Sequence, residues 1–188
     1  MMQSTDLSFS GVQWADIESL GLSQIYLNAD KLARIREWFD PNDLSGFEPL
    51  PVHDFGNARL TLTDGHSRAY TAYRAGLQKI PVVYDLDPIV TSDTGLMLYR
   101  DDIVWCERFG IRTVRDLENR ILSGADYQTL WLDRCSRAYV LLTQTTPAQR
   151  SAMQEAHPGL YLYGASADLK VLYFEDAHGA LYEFPNIP

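Results

Sequence analysis

The chain has 188 residues, of which 46% are hydrophobic and 22% are charged, so it is long enough for one domain of ordinary size with a buried core. Sixteen basic residues face twenty-five acidic ones, and this balance disfavours a large nucleic-acid surface, because neutralising phosphates requires clustered lysine and arginine. No apolar run approaches the roughly 20 residues of a membrane-spanning helix, and the N-terminus lacks the build of a secretory signal, so we expect a cytoplasmic protein with no membrane partner.

The N-terminal part of the sequence predicts alternating strands and helices. We expect residues 1–22 to be irregular apart from a short strand near Val12. The next predicted elements are a strand at 24–27, a helix that Asn28 caps, strands at 50–55 and 59–63, a helix at 65–76 and a strand at 80–84.

A turn-rich stretch at 85–94 predicts a subdivision of the chain into residues 1–87 and residues 88–188. The second part begins with predicted helices at 95–109 and 125–137, with a capping box at Thr113 between them. It continues as a small α+β unit, with a strand at 138–142, a helix opened by Thr146 and Pro147, and strands at 160–163, 169–174 and 180–184. The fold class that the whole pattern predicts is α+β.

The cysteine and histidine residues show no metal-binding spacing. Cys106 and Cys135 are far apart and form no C-x-x-C motif, and the four histidines include no H-E-x-x-H pair. We therefore expect free thiols and no structural zinc site.

The most informative stretch is Asp64–Arg68, where a predicted strand runs into a predicted helix. Backbone N–H groups, the helix dipole and the Arg68 guanidinium could converge there on one phosphate. A purely structural interpretation also exists. In that interpretation Asp64 caps the helix, Gly65 permits a tight turn and Arg68 is solvated.

These residues carry a resemblance to a known family. Asp64-Gly65-His66-Ser67-Arg68, followed by Ala72, Gly76 and Ile80-Pro81-Val82, resembles the D-G-H-x-R motif and the downstream strand of the ParB/sulfiredoxin superfamily. The resemblance covers roughly residues 20–86. It implies a mixed sheet with helices for this region, to which a helical segment and the small C-terminal α+β unit are added.

Three branches of that superfamily imply different functions. Sulfiredoxins carry a nucleophilic cysteine where His66 stands, and this chain has no cysteine before Cys106, which argues against sulfinic acid repair. Chromosome-partition ParB proteins carry a double-arginine box and a helix-turn-helix and bind CTP; here Arg68 is single, although residues 111–137 could form paired helices. The D-G-H-H-R motif of the free serine kinases is the most similar, with Ser67 in place of its second histidine.

The kinase-like resemblance implies a role for each residue of the joint. Asp64 and His66 would be catalytic, and Asp64 would also bind Mg²⁺, a metal that prefers oxygen ligands. Gly65, His66, Ser67 and Arg68 would bind the phosphates of ATP or another nucleotide, with Arg68 offsetting charge that develops during transfer. The acceptor would be a hydroxyl group of a small molecule or a protein.

Phosphoryl transfer also needs a general base near the acceptor, and Asp30, Glu37 and Glu48 are the upstream candidates. Two alternatives stay open beside the nucleotide-binding hypothesis. One is a non-catalytic interaction scaffold that retains the fold, and the other is a ParB-like DNA-binding or nuclease accessory protein. The sequence also leaves a homodimer open.

Overall fold

The fold was analysed in a computed structural model, which describes residues 8–186. These residues form two compact units, one ending at Tyr127 and one beginning at Gln128. Both units combine strands and helices, and the first contains a mixed sheet, so the predicted α+β class is confirmed.

The first unit is built on a four-stranded mixed sheet in the order β1-β5-β3-β4. Strand β3 runs parallel to β5, while β1 and β4 are antiparallel to their neighbours. A separate parallel pair joins β2 to β6. The strands of this unit are β1 (Val12–Asp16), β2 (Leu27–Asn28), β3 (Leu50–Asp54), β4 (Leu60–Leu62), β5 (Lys79–Tyr84) and β6 (Ile121–Leu122).

The helices of the first unit largely follow the predicted elements. The Asn28 side chain caps α1 by accepting from two backbone N–H groups, and Leu32 and Ile35 lie on its buried face, as the sequence pattern indicated. Two 3₁₀ segments occupy 17–19 and 114–119. The helices are α1 (Ala29–Trp38), α2 (His66–Arg74), α3 (Pro88–Thr91), α4 (Asp93–Arg108) and α5 (Gly124–Tyr127).

The division between the two units differs from the boundary predicted at residues 87 and 88. Helices α3 and α4 belong to the first unit because they contribute Val90 and Ile103 to a buried cluster with Phe55, which directly follows β3. The turn-rich stretch before α3 is thus a connection inside one unit. Turn residues mark a change of direction in the chain, and they do not reveal whether the next element packs on the same core.

The second unit contains two helices and a three-stranded antiparallel sheet in the order β7-β8-β9. Thr146 and Gln149 form a capping box at the predicted helix start, and Leu141, Leu162 and Phe174 are central to the core. Its elements are a π-helical segment (Gln128–Leu132), α6 (Asp133–Gln144), α7 (Pro147–Glu155), β7 (Tyr161–Ala165), β8 (Val171–Glu175) and β9 (Leu181–Pro185).

The strand predicted at residues 138–142 is wrong, because this segment belongs to α6. Its five consecutive apolar residues fit a buried strand or a buried helix equally well. In the structure Arg134, Ala138 and Leu141 are buried at helical spacing, whereas Tyr139 is 52% exposed. Residues 111–137, considered as paired helices for DNA binding, hold a 3₁₀ segment at 114–119, a two-residue strand and then helical backbone from Gly124 onward.

None of the helices within residues 8–186 combines the length and the apolar character needed to cross a bilayer. Both cysteines are free as predicted; Cys106 is buried and Cys135 is half-buried.

Candidate functional site

The joint between β4 and α2 has a backbone that only glycine accommodates well. Gly65 is the N-cap residue of α2 and adopts a left-handed conformation with φ of +79°. A Cβ atom at this position would lie 2.7 Å from Leu50 Cδ2. Gly65 therefore combines a positive φ with a close approach to β3. The alternative in which Asp64 caps the helix is wrong, since Asp64 precedes the N-cap.

The start of α2 carries no side-chain cap. The first helical hydrogen bond runs from the Ala69 N–H to the Gly65 carbonyl at 2.9 Å. The N–H groups of His66, Ser67 and Arg68 lie before that bond, in the turn whose donors have no helical acceptor. Such a turn carries the positive end of the helix dipole and favours an anion.

Two cations lie beside this helix start. Lys31 Nζ is 3.9 Å from Asp64 Oδ1, and Arg68 Nη2 is 3.8 Å from Asp64 Oδ2. Arg68 Nη1 is also 3.6 Å from Glu48 Oε2 and donates to the Glu48 carbonyl at 3.3 Å. The distances between charged groups exceed hydrogen-bond length, so these are loose ion pairs whose net contribution to stability is small.

The surroundings of Asp64 keep its carboxyl group ionised. Partial removal from water acts to raise the pKa of Asp64, but the Gly65 N–H and the charges of Lys31 and Arg68 outweigh this effect and lower the pKa overall. Its side chain remains 65% exposed. The backbone N–H groups of His66, Ser67 and Arg68, with the Arg68 guanidinium, are called the phosphate cradle from here on. The Asp64 carboxylate is a negative group at the edge of this cradle, held between two cations.

His66 lies inside the protein. Its side chain is buried, and Nε2 accepts a hydrogen bond of 3.1 Å from the Ser23 N–H, so the neutral ring carries its proton on Nδ1. Nδ1 is buried and has no hydrogen-bond partner among the described residues. Burial is the main reason that the pKa of His66 falls to about 4, so the ring is neutral at pH 7.

The buried position separates the His66 ring from its predicted catalytic role, which stays a prediction. The ring joins the loop at Ser23 to the start of α2 from the interior, and only the backbone N–H of His66 belongs to the cradle. Ser67 is 1% exposed, so it too offers a backbone N–H and no accessible hydroxyl. The Arg68 guanidinium lies at the helix start with part of its surface exposed, unlike the buried side chains of His66 and Ser67.

Two contacts that the sequence pattern did not indicate hold the end of β4 in place. Thr63 Oγ1 donates to Asp85 Oδ2 at 2.5 Å, and the Tyr99 hydroxyl donates to the Thr63 carbonyl at 3.1 Å. Burial, with nearby carboxylates such as Asp102, raises the pKa of Tyr99 to about 12, so the hydroxyl stays a donor at neutral pH. Asp85 directly follows β5 and Tyr99 lies on α4, and nothing in the sequence pattern indicated that they meet at the joint.

The three candidates for a general base are placed differently. Glu48 lies at the joint through its contacts with Arg68, and its side chain is 88% exposed. Asp30 is directed elsewhere, because its carboxylate lies against Gly124 at the start of α5. Glu37 is exposed on α1.

The donor set at the joint does not favour a resident metal ion. Within residues 8–186 no group of three or more histidine, cysteine, aspartate or glutamate side chains could hold one. Asp64 is the predicted Mg²⁺ ligand, and its charge is already balanced by Lys31 and Arg68. The Mg²⁺ assignment therefore stays a prediction, and none of the steps below depends on it.

Comparisons with known proteins do not identify a family. No protein-family profile matches the sequence, and no curated protein matches it. A solved structure, protein Atu1540 from Agrobacterium tumefaciens, aligns with 57% of this chain and 61% of its own length at 16% identity and a TM-score of 0.38. The chain thus spans less than two thirds of that protein, and a similarity this distant carries no argument about function.

Proposed function

We propose that the joint between β4 and α2 binds the phosphate groups of a nucleotide and that the part of the first unit up to residue 87 is a ParB/sulfiredoxin-like domain. The observation that supports the proposal most is the meeting of two loosely paired cations, Lys31 and Arg68, with an uncapped helix start. A phosphate can accept from backbone N–H groups and from both cations, because none of their side-chain ion pairs is a tight hydrogen bond.

Each residue of the joint has a role in this proposal. Gly65 lets the backbone approach the phosphate closely, and the N–H groups of His66, Ser67 and Arg68 donate to its oxygens. The Arg68 guanidinium exchanges its contacts with Asp64 and Glu48 for the phosphate. A buried, neutral His66 ring fixes the helix start, so that little ordering is needed when the anion binds.

The same arrangement suggests how phosphoryl transfer to a hydroxyl group would proceed. The acceptor oxygen forms a bond to the terminal phosphorus while the bond to the nucleoside diphosphate breaks, and a carboxylate takes the proton of the hydroxyl. Glu48 is the exposed carboxylate near Arg68 that suits this role. Arg68 would stabilise the charge that develops on the transferred group.

Isothermal titration of the full chain with ATP, ADP and CTP, each with and without Mg²⁺, tests the binding proposal. We expect one of these nucleotides to bind, and we expect Arg68→Gln to weaken binding about tenfold or more, because a charge-assisted hydrogen bond contributes about 1.5–3 kcal/mol. Lys31→Gln should weaken it as well. Lys79→Gln is the matched control, since Lys79 is exposed at the start of β5 and lies outside the joint.

Two results would refute the proposal. One is the absence of nucleotide binding by the wild-type chain, and the other is an Arg68→Gln variant that binds with unchanged affinity. Phosphoryl transfer is tested separately by ³¹P NMR with the bound nucleotide and hydroxyl acceptors. In that experiment Glu48→Gln should reduce the rate while nucleotide affinity is retained.

A non-catalytic interaction scaffold is the second candidate, and one observation favours it. Arg68 contacts both Asp64 and Glu48 in this structure, so its charge has intramolecular partners even without a ligand. Under this alternative the three side chains fix the joint, and no anion enters. Nucleotide titration separates the two candidates, because a scaffold with a closed joint would show no binding.

A further inference from the structure

A second candidate site lies in the first unit, away from the joint. It is a cavity of about 360 Å³ between the loop at Gly21, the start of β4 and the C-terminal end of α4. The volume falls within the range of small-molecule sites, roughly 300–1,000 Å³. None of its lining residues belongs to the predicted phosphate cradle.

The floor of the cavity is apolar and well buried. It is formed by Leu22, Ile103, Cys106 and Ile111, each of which is no more than 9% exposed. Burial raises the pKa of the Cys106 thiol far above its usual range, so the thiol is protonated and acts as an apolar group. This floor suits the hydrocarbon part of a small ligand.

The back wall is closely packed. Gly21 pairs with Thr61 in an isolated bridge, and a Cβ atom on Gly21 would lie 2.5 Å from Thr61 Oγ1. Next to this wall, Ala58 has a φ of +57°, a conformation that non-glycine residues seldom adopt. Closely packed backbone thus forms this wall of the cavity, so the wall is already in place without a ligand.

Within the described part of the chain, the charged side chains that line the cavity form no direct ion pair. Arg59 is held by two backbone carbonyls, with Nε donating to Ser19 at 2.6 Å and Nη2 to Glu18 at 3.1 Å. Among the described residues no carboxylate lies within ion-pair distance of Arg59 or Arg112, and Glu107 has no cationic partner. In a chain with twenty-five acidic residues, two unpaired guanidinium groups on one cavity are unexpected.

Partial burial makes the Arg59 charge costly. Removal from water lowers the pKa of Arg59, and the nearby charge of Asp116 opposes this effect only in part. The direct contacts of the Arg59 guanidinium are with carbonyl groups, and Asp116 acts on it only from beyond ion-pair distance, so its charge is compensated incompletely. An anion in the cavity would supply the missing counter-charge.

We propose that this cavity binds a small organic monocarboxylate, with the carboxylate on Arg59 and Arg112 and the apolar body on the floor. The lining itself carries two positive charges, on Arg59 and Arg112, and one negative charge, on Glu107, which leaves an excess of one positive unit that the nearby Asp116 reduces further. That excess matches a singly charged head group better than the double charge of a phosphate monoester. The Arg112 guanidinium can meet a carboxylate in bidentate geometry, whereas Arg59, whose Nε and Nη2 already donate to carbonyl groups, adds positive charge and its Nη1 donor.

NMR titration of the ¹⁵N-labelled full chain with 4-phenylbutyrate tests the proposal. We expect shifts at the amides of Gly21, Cys106 and Ile111, and an affinity at least about tenfold lower for the uncharged 4-phenylbutanol. Arg112→Gln should weaken 4-phenylbutyrate binding about tenfold or more. Arg112 is exposed, so this variant is expected to fold. Arg34→Gln, an exposed arginine on α1, makes the same change of charge outside the cavity and should bind as the wild type does.

Three results would overturn the assignment. The first is the absence of saturable binding, and the second is an unchanged affinity in Arg112→Gln. The third is a pattern of shifts centred on residues 65–68, which would place the carboxylate at the joint. Tighter binding of phenyl phosphate than of 4-phenylbutyrate would contradict the monocarboxylate assignment. Nucleotide titration addresses the joint independently, so the two proposals can fail separately.

Discussion

Arginine–carboxylate pairs occur in both units of this protein, but in very different surroundings. In the second unit Arg134 contacts Glu175, and the two residues are 5% and 0% exposed. The Arg134 guanidinium also lies 4.7 Å from the centre of the Tyr163 ring. At the joint Arg68 contacts Asp64 at 3.8 Å, and the Asp64 side chain is 65% exposed.

Burial decides what each pair can do. Separating Arg134 from Glu175 would leave a charge in the core, so this pair is fixed and structural. The contacts of Arg68 are longer and face water, so exchanging Asp64 for a ligand costs little. Residue type alone therefore does not identify a binding site, whereas a loosely paired charge at an accessible position does.

The largest effect is expected for Glu175→Gln. This change leaves Arg134 buried without its counter-charge and should lower the free energy of unfolding of the second unit by about 3–5 kcal/mol. Urea unfolding followed through the amide signals of β8 measures the loss. The double variant Arg134→Met with Glu175→Leu removes both charges and should recover most of the stability. A loss under about 1 kcal/mol in Glu175→Gln would show that the pair behaves as a surface ion pair.

The next effect concerns the buried part of the joint and depends on pH. The folded-state pKa of His66 is about 4, well below the ordinary histidine value of 6.5, so the unfolded chain binds the proton more readily. The resulting stability is fully present above pH 6.5 and is lost as pH falls towards 4, by roughly 3 kcal/mol in total. Urea unfolding at pH 7 and pH 5 should show part of this loss, about 2 kcal/mol, in the wild type and a clearly smaller loss in His66→Gln. Equal pH dependence in the two proteins would contradict the buried neutral state.

A smaller effect is expected for Gly65→Ala. Alanine in the left-handed conformation costs about 1–2 kcal/mol, and the contact of its Cβ with Leu50 adds to this cost. Gly56→Ala is the matched control, because Gly56 has a φ of +85° and no atom near its would-be Cβ. The excess loss of Gly65→Ala over Gly56→Ala in thermal or urea unfolding measures the close approach. Equal losses would show that the Leu50 side chain moves away from the added Cβ atom without lowering the free energy of unfolding.

The smallest effect on stability is expected for Asp64→Asn. Its ion pairs are loose and exposed, so the free energy of unfolding should change by less than about 1 kcal/mol. Removing a negative charge from the edge of the cradle should tighten phosphate binding by about two- to fivefold. Calorimetry with and without Mg²⁺ provides the check. Weaker binding in the variant only when Mg²⁺ is present would restore Asp64 as a metal ligand.

Local sequence signals predicted much of the first unit. Asn28 ahead of a helical apolar pattern identified α1, and Gly76 followed by Ile80-Pro81-Val82 identified the end of α2 and strand β5. The signal at Thr146 and Pro147 likewise identified α7. These predictions succeeded because helix caps, glycines at helix ends and the spacing of apolar residues all depend on residues that are close together in the chain. The apolar run at 138–142 failed because periodicity cannot separate a buried helix from a buried strand.

The sequence by itself determined the elements around the joint and the unusual backbone at Gly65, since both follow from local conformational preferences. It did not reveal that the His66 ring would be buried, that Lys31 would approach Asp64, or that Arg59 and Arg112 would share a cavity. Those relations join residues far apart in the chain. Burial and electrostatic pairing depend on which surfaces meet, so only the tertiary structure decided which polar groups are sealed in the core and which stay available to a ligand.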